Sequence, residues 1–137
     1  MPSVLVDAGP LIALFNRGDR HHTRALRFVQ GIDCAMVTNL PILAEVMANL
    51  DFSVDAQLAA LSWVGQSIRI DEDTADDLPR IKEIMAKYRD LPADFGDASL
   101  VALAERTGVH DVATIDKDFL VYRANGKKKF TNVFMVS

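Results

Sequence analysis

The sequence has a single cysteine, Cys34, among its 137 residues. No disulfide can close within one chain, and that points to a reducing compartment. Cys34 lies in the apolar run C-A-M-V and reads as a small buried hydrophobe. The start, M-P-S-V-L-V-D, has neither the basic segment nor the long apolar segment of a secretory leader. No apolar run approaches the length of a membrane span. The expectation is a cytoplasmic protein without membrane contact. The chain also lacks G-x-x-x-x-G-K-[ST] and G-x-S-x-G, so neither a P-loop nor that nucleophile elbow is present. Histidine is scarce. His21 and His22 fall on a basic segment that reads as exposed, and His110 falls in a loop.

What is there is ordinary for a globular protein: half the residues are hydrophobic and a quarter charged. The length suits one domain, residues 1–137, with a sizeable core. The net charge of −4 argues at first against a nucleic-acid partner. Distribution matters more than the sum. If five particular acids form one site, the remainder of the chain carries +1.

The stretch D-F-G-D-A-S-L-V-A-L-A-E-R-T-G, from Asp94 to Gly108, is the centre of the chain's organisation. Asp94 and Asp97 are spaced to lie one turn apart on one helix face. The residues after Asp97 are almost wholly apolar, as in a buried helix. The two acids are readable either as an N-cap with a first-turn acid or as part of a metal site. Gly108 is the expected C-cap.

Residues 3–6 read as a strand buried on both faces and closed by Asp7, with Gly9 and Pro10 opening a helix. A helix over 19–30 places Ala25, Leu26, Phe28 and Val29 inward and Arg20, Arg24 and Arg27 outward. Residues 34–38 form a second strand, and Thr38 or Asn39 caps a helix in which Glu45 is the one charge. Helices over 54–64 and 78–88 enclose a short strand over 68–70. The acids Asp71, Glu72, Asp73, Asp76 and Asp77 read as a solvated helix end. Residues 112–115 form another strand, with Asp116 closing it as Asp7 closed the first. K-D-F-L comes next as a short turn, then Asn125-Gly126 and the run Lys127, Lys128, Lys129. Residues 133–136 are expected as an edge strand. Alternation of strands and helices gives a three-layer α/β/α domain with a mainly parallel sheet.

In such sheets, ligands bind beyond the carboxyl ends of the strands. Asp7, Glu45, Asp94, Asp97 and Asp116 come from separate parts of the chain and can converge there. Oxygen-only ligands suit Mg²⁺ or Mn²⁺ rather than zinc. A divalent ion so held can activate water for attack on a phosphodiester, so metal-assisted hydrolysis of nucleic acid is expected. A phosphate-accepting signalling domain shares the fold pattern but needs a lysine closing a late strand, where Asp116 stands.

The segments V-L-V-D-A-G-P-L-I, A-E-V, D-F-G-D-A-S-L-V-A-L-A-E and A-T-I-D-K-D-F resemble, in this order, a PIN-domain ribonuclease. More narrowly, the chain is similar to the VapC toxins of bacterial toxin–antitoxin pairs over its full length. The resemblance implies an acidic core of Asp7, Glu45, Asp97 and Asp116, with Asp94 as an added ligand or helper. Asp118 is a further candidate, and Thr114 resembles a small hydroxyl residue that orients a ligand or water. It implies a Mg²⁺- or Mn²⁺-dependent endoribonuclease, a homodimer, inhibited by a cognate antitoxin. The alternatives are an RNA-processing PIN nuclease without an antitoxin and a non-catalytic PIN-like binding module. Arg17, Arg20, Arg24, Arg27, Lys127, Lys128 and Lys129 are candidates for RNA phosphate contact, each also readable as plain surface charge. The lysine run comes after the strand bearing Asp116 and is expected to flank the site. Phe15, Phe28, Leu58, Leu61 and Trp63 exceed what one small core needs and are candidates for a dimer face.

Overall fold

The computed structural model describes residues 2–135. The elements are β1 Ser3–Val6, α1 Ala8–Phe15, α2 His22–Gly31, β2 Ala35–Asn39, α3 Leu40–Asn49, α4 Val54–Ser67 and β3 Arg69–Asp71. They continue with α5 Leu78–Lys87, α6 Phe95–Thr107, β4 Asp111–Ala113, a 3-10 turn Lys117–Leu120, β5 Arg123–Ala124, β6 Lys128–Lys129 and β7 Thr131–Asn132.

Five strands form one sheet in the order β3-β2-β1-β4-β7, and every pairing in it is parallel. The central strand is the short apolar run V-L-V, buried throughout. Alternating residues leave it on opposite faces. Leu5 and Val112 meet the larger core, built with Ile42 and Val46 of α3, Val64 of α4, Ile81 and Ile84 of α5, and Leu100 and Leu103 of α6. Val4 and Ala113 meet a smaller core with Ala13 of α1, Ala25 of α2 and Phe134. Burial on both faces is why the strands carry no polar alternation.

The helices begin and end on chemical signals. Asp7 caps α1, Asn39 caps α3, Ser53 caps α4 and Asp94 caps α6. Gly108 closes α6 at a φ of 76°, the left-handed conformation that terminates a helix. α6 is the most buried helix, enclosed from Gly96 to Ala104. Among the described residues no helix is long and apolar enough to cross a membrane.

The structure corrects several sequence expectations. α2 is shorter than 19–30, and Leu26 lies 37% exposed rather than inward, because Ala25 is the residue of that helix pressed onto the sheet. Cys34 is half-buried at the margin of the smaller core rather than enclosed. The last strand is not 133–136 but Thr131–Asn132. Its reason is local: the Asn132 side-chain carbonyl accepts the backbone N–H groups of Phe134 and Met135, curling the chain off the sheet. Val136 lies outside the described residues. The acidic run is not merely solvated. Arg106 of α6 binds buried Asp71 at 2.7 Å and Asp77 at 2.9 Å, pinning α6 to the end of β3 and the start of α5. Phe15 packs edge-on against Trp63, and Phe28 against Phe134, so these aromatics have partners within the chain.

Candidate active site

Strand β1 has β2 on one side and β4 on the other. The chain leaves it in one direction first and in the other later. Successive crossovers therefore part here and open a crevice at the carboxyl ends of β1 and β4. Asp7 follows β1 directly, and Thr114 to Asp116 follow β4.

Asp7 is buried and doubly held. Its carboxylate accepts the Ala8 backbone N–H at 2.8 Å and the Thr114 hydroxyl at 2.7 Å. The Thr114 hydroxyl oxygen accepts in turn from the Asp116 backbone N–H at 2.9 Å. One side chain thus fixes the spacing between two acids on neighbouring strands. Asp116 starts the 3-10 turn and accepts from the Asp118 N–H. α6 supplies the opposite wall. Asp94 caps it by accepting the Asp97 N–H at 2.8 Å, so the cap reading of this pair is realised and it also orients Asp97. The Asp97 carboxylate accepts the Tyr122 hydroxyl at 2.9 Å. Glu45 reaches in from α3 across Gly96: a β-carbon at Gly96 would stand 2.9 Å from Glu45 Oε1. The ends of β2 and α6 are tied by Asn39 donating to the Ser99 hydroxyl, which donates to the Gly96 carbonyl.

Electrostatics follow from this crowding. Burial pushes Asp7 up to about 6 despite its hydrogen bonds to Thr114 and Ala8, and the charges of Asp116 and Asp94 add to the rise. Burial and the charges of Asp94, Asp7 and Asp116 push Glu45 up to about 7. Asp97 rises further, through burial, a hydrogen bond with Asp116 that only a protonated carboxyl can donate, and its acidic neighbours. Burial and then the Asp97 charge raise the Tyr122 phenol, which therefore stays a donor. Among the described residues no lysine or arginine forms an ion pair with any of these acids. Carboxylates this close without cations are what a hard divalent ion requires. Asp97, Asp116 and Asp118 can bring one oxygen each within 4.8 Å of one another. The donor set therefore fits Mg²⁺ or Mn²⁺.

The structure thus gathers Asp7, Glu45, Asp94, Asp97, Asp116, Asp118 and Thr114 at one edge. It does not bring Lys127, Lys128 and Lys129 there. Asn125 N–H donates to Glu105, eight residues beyond Asp97 and so about 12 Å along α6. Thr131, just after the lysines, pairs with Asp111 at the amino end of β4. The lysine hairpin belongs to the far end of the sheet. Tyr122 was missed as a site residue. Its only sequence signal is a polar-tipped aromatic after a turn, and a partner distant in sequence cannot be read from that.

A family model described as PIN domain matches residues 4–125. The chain belongs to the PIN domain family. Every acid of the crevice falls within the matched residues of this PIN domain. A curated relative, Ribonuclease VapC26 of Mycobacterium tuberculosis, is 26% identical over 132 residues, covering 93% of this chain and 98% of the relative. Mycobacterium tuberculosis VapC20, a sarcin-ricin loop cleaving toxin of known crystal structure, is 24% identical. It superposes with a TM-score of 0.77 over 84% of this chain and 91% of that one, a likeness of fold.

Proposed function

We propose that this PIN domain is a divalent-metal-dependent endoribonuclease and the toxin of a toxin–antitoxin pair, acting in the cytoplasm. One observation carries the reading: six acids on four separate chain segments meet over the crevice between β1 and β4, and among the described residues no lysine or arginine forms an ion pair with them. The near full-length similarity to Ribonuclease VapC26 supports RNA as the substrate.

Asp97, Asp116 and Asp118 would hold the ion, with Asp7 and Glu45 as the further oxygen ligands from β1 and α3. When bound, Mg²⁺ or Mn²⁺ supplies a water of lowered pKa and offsets charge on the phosphodiester. The chain's own part is positional. Thr114 sets the distance between Asp7 and Asp116, and Tyr122 holds Asp97 in one orientation. Glu45, with its raised proton affinity, stands where it can take up a proton near neutral pH. A non-catalytic role fits poorly with a complete acidic set.

A closed two-fold homodimer is part of the proposal. Val54, Leu58 and Leu61 lie exposed on one face of α4, and they offer apolar surface for a second copy. A cognate antitoxin is the expected inhibitor.

The test is cleavage of single-stranded RNA by purified protein in Mn²⁺ and in EDTA. Asp7→Asn and Asp97→Asn are each expected to abolish cleavage with the fold intact, since each removes a charged oxygen ligand. Cleavage at the wild-type rate by either variant overturns the assignment.

A further inference from the structure

The acidic crevice does not explain the basic groove beside it. Arg20, Thr23, Arg24 and Arg27 line a groove between α2 and the segment Val133 to Met135. Arg20 and His21 also line a second hollow, beside Asp19, whose carboxylate is held by the His21 N–H; its far wall is Gly9, Asn49 and Ile115. Gly9 is two residues from Asp7, Ile115 precedes Asp116, and the Asn49 side chain donates to the Glu45 carbonyl. The two hollows share Arg20 and His21, so the groove runs on into the rim of the crevice.

Arg20 and Arg27 share with Arg17 and Arg69 an exposed guanidinium without a carboxylate partner among the described residues, but they alone of these four line this groove. Arg80 and Arg106 are consumed in ion pairs, and Arg123 donates to three carbonyls. Arg24 is tied to the Phe134 carbonyl. Arg20 and Arg27 are exposed, and among the described residues no carboxylate pairs with either. In a chain of net charge −4, exposed cations gathered in one concave track that ends at Gly9 and Ile115, next to Asp7 and Asp116, are placed for a polyanion.

We propose that this groove is the path of the RNA strand on one side of the scissile phosphate, with Arg20 and Arg27 contacting its phosphates. The inference rests on the ribonuclease reading and names where that substrate lies. A groove lined by cations tracks a nucleic-acid backbone without reading sequence. It also compensates the long-range repulsion between a phosphate chain and the acidic crevice.

The experiment measures binding apart from cleavage. A fluorescein-labelled single-stranded RNA of mixed sequence is titrated with metal-free protein in EDTA, by anisotropy, across a salt series. Arg20→Gln/Arg27→Gln is expected to bind at least tenfold more weakly at low salt. Its slope of log affinity against log salt should be shallower by about 1.4, two phosphate contacts on a single strand at about 0.7 each. Arg20→Lys/Arg27→Lys should keep most of the slope. Lys82→Gln/Arg89→Gln, which removes two charges from α5 and its end, should behave as wild type. Wild-type affinity and slope in the Arg20→Gln/Arg27→Gln protein overturn the path and leave the groove to an acidic peptide. Cleavage of the same RNA by wild type in Mn²⁺ is scored separately. Cleavage with an unaltered slope rejects the path alone, whereas no cleavage and no binding reject the ribonuclease reading.

Discussion

Gly96 shows how a single missing atom shapes the site. A β-carbon there would press on Glu45 Oε1 at 2.9 Å and on Ile42 at 3.4 Å. The nearer atom is the end of a flexible side chain, so it moves rather than destabilising the fold. Gly96→Ala is therefore expected to cut RNA cleavage severely while leaving the melting temperature unchanged or slightly raised, since alanine favours a helix by up to about 1 kcal/mol. Parallel cleavage and melting measurements check it; intact activity rejects the placement of Glu45. Thr114 makes the opposite case. Thr114→Val leaves buried Asp7 short of a donor and the Asp116 N–H short of an acceptor. A loss of about 1–3 kcal/mol in denaturant unfolding is expected, with cleavage reduced as well. These two residues were unequally legible. Thr114 stood out only through the resemblance to the PIN-domain ribonucleases, which places a small hydroxyl residue just before the last acid. Gly96 gave no sign, because its neighbour across the helix pair lies on another element.

At the scale of elements, α6 is held at both ends by charge. Its first turn carries Asp94 and Asp97, and its last turn carries Arg106, bonded to Asp71, Asp73 and Asp77. Burial alone would raise Asp71, but the hydrogen bonds from Arg106 overcome it and hold that carboxyl below its usual range. A lowered folded pKa contributes stability above the unfolded pKa, lost as pH falls through the folded one. Arg106→Gln is thus expected to destabilise the protein at neutral pH by about 1–2 kcal/mol, less than a fully buried pair would lose. The difference from wild type should narrow once pH drops below the ordinary aspartate value of about 3.9. Urea unfolding of both proteins at pH 7 and pH 3 reads this directly. Reading the acidic run as a solvated helix end failed here, because the arginine that meets it lies some thirty residues further on. Most helices and the strands up to β4 were legible, since caps, glycines and apolar periodicity are local signals, whereas the short strands after residue 120 were not.

The whole molecule carries the cost of the acidic crevice. Asp7 near 6, Glu45 near 7 and a raised Asp97 mean that the folded state binds protons more tightly than the unfolded chain. That stability is fully present below the unfolded values of about 4 and lost as pH rises through the folded ones. Metal-free protein should therefore melt higher at pH 5 than at pH 8. Mn²⁺ binding only the folded site should recover stability at pH 8, on the order of 2.7 kcal/mol at a hundredfold excess over its dissociation constant. Asp97→Asn should melt higher than wild type in EDTA and respond less to Mn²⁺. Melting curves in EDTA and in Mn²⁺ at matched ionic strength test all three; an absent metal shift, or a lower melting point for Asp97→Asn in EDTA, rejects the crowded-carboxylate account. At the same scale, light scattering at micromolar concentration is expected to give twice the chain mass, and a monomer at all concentrations rejects the dimer.

The sequence alone determined the alternation of buried strands and helices, the caps, and the identity of the acids at strand ends. Each of these depends on residues within a turn or two of one another, where backbone geometry follows directly from side-chain type. Only the tertiary structure decided that Tyr122 holds Asp97, that Arg106 claims the acidic run, and that the lysine run lies at the wrong end of the sheet. It also placed Arg20 and Arg27, readable from sequence either as phosphate contacts or as plain surface charge, on the wall of a groove. These facts depend on which distant segments meet, and they follow from the strand order β3-β2-β1-β4-β7. That order is set by packing the whole apolar surface at once, and no local stretch of the chain encodes it.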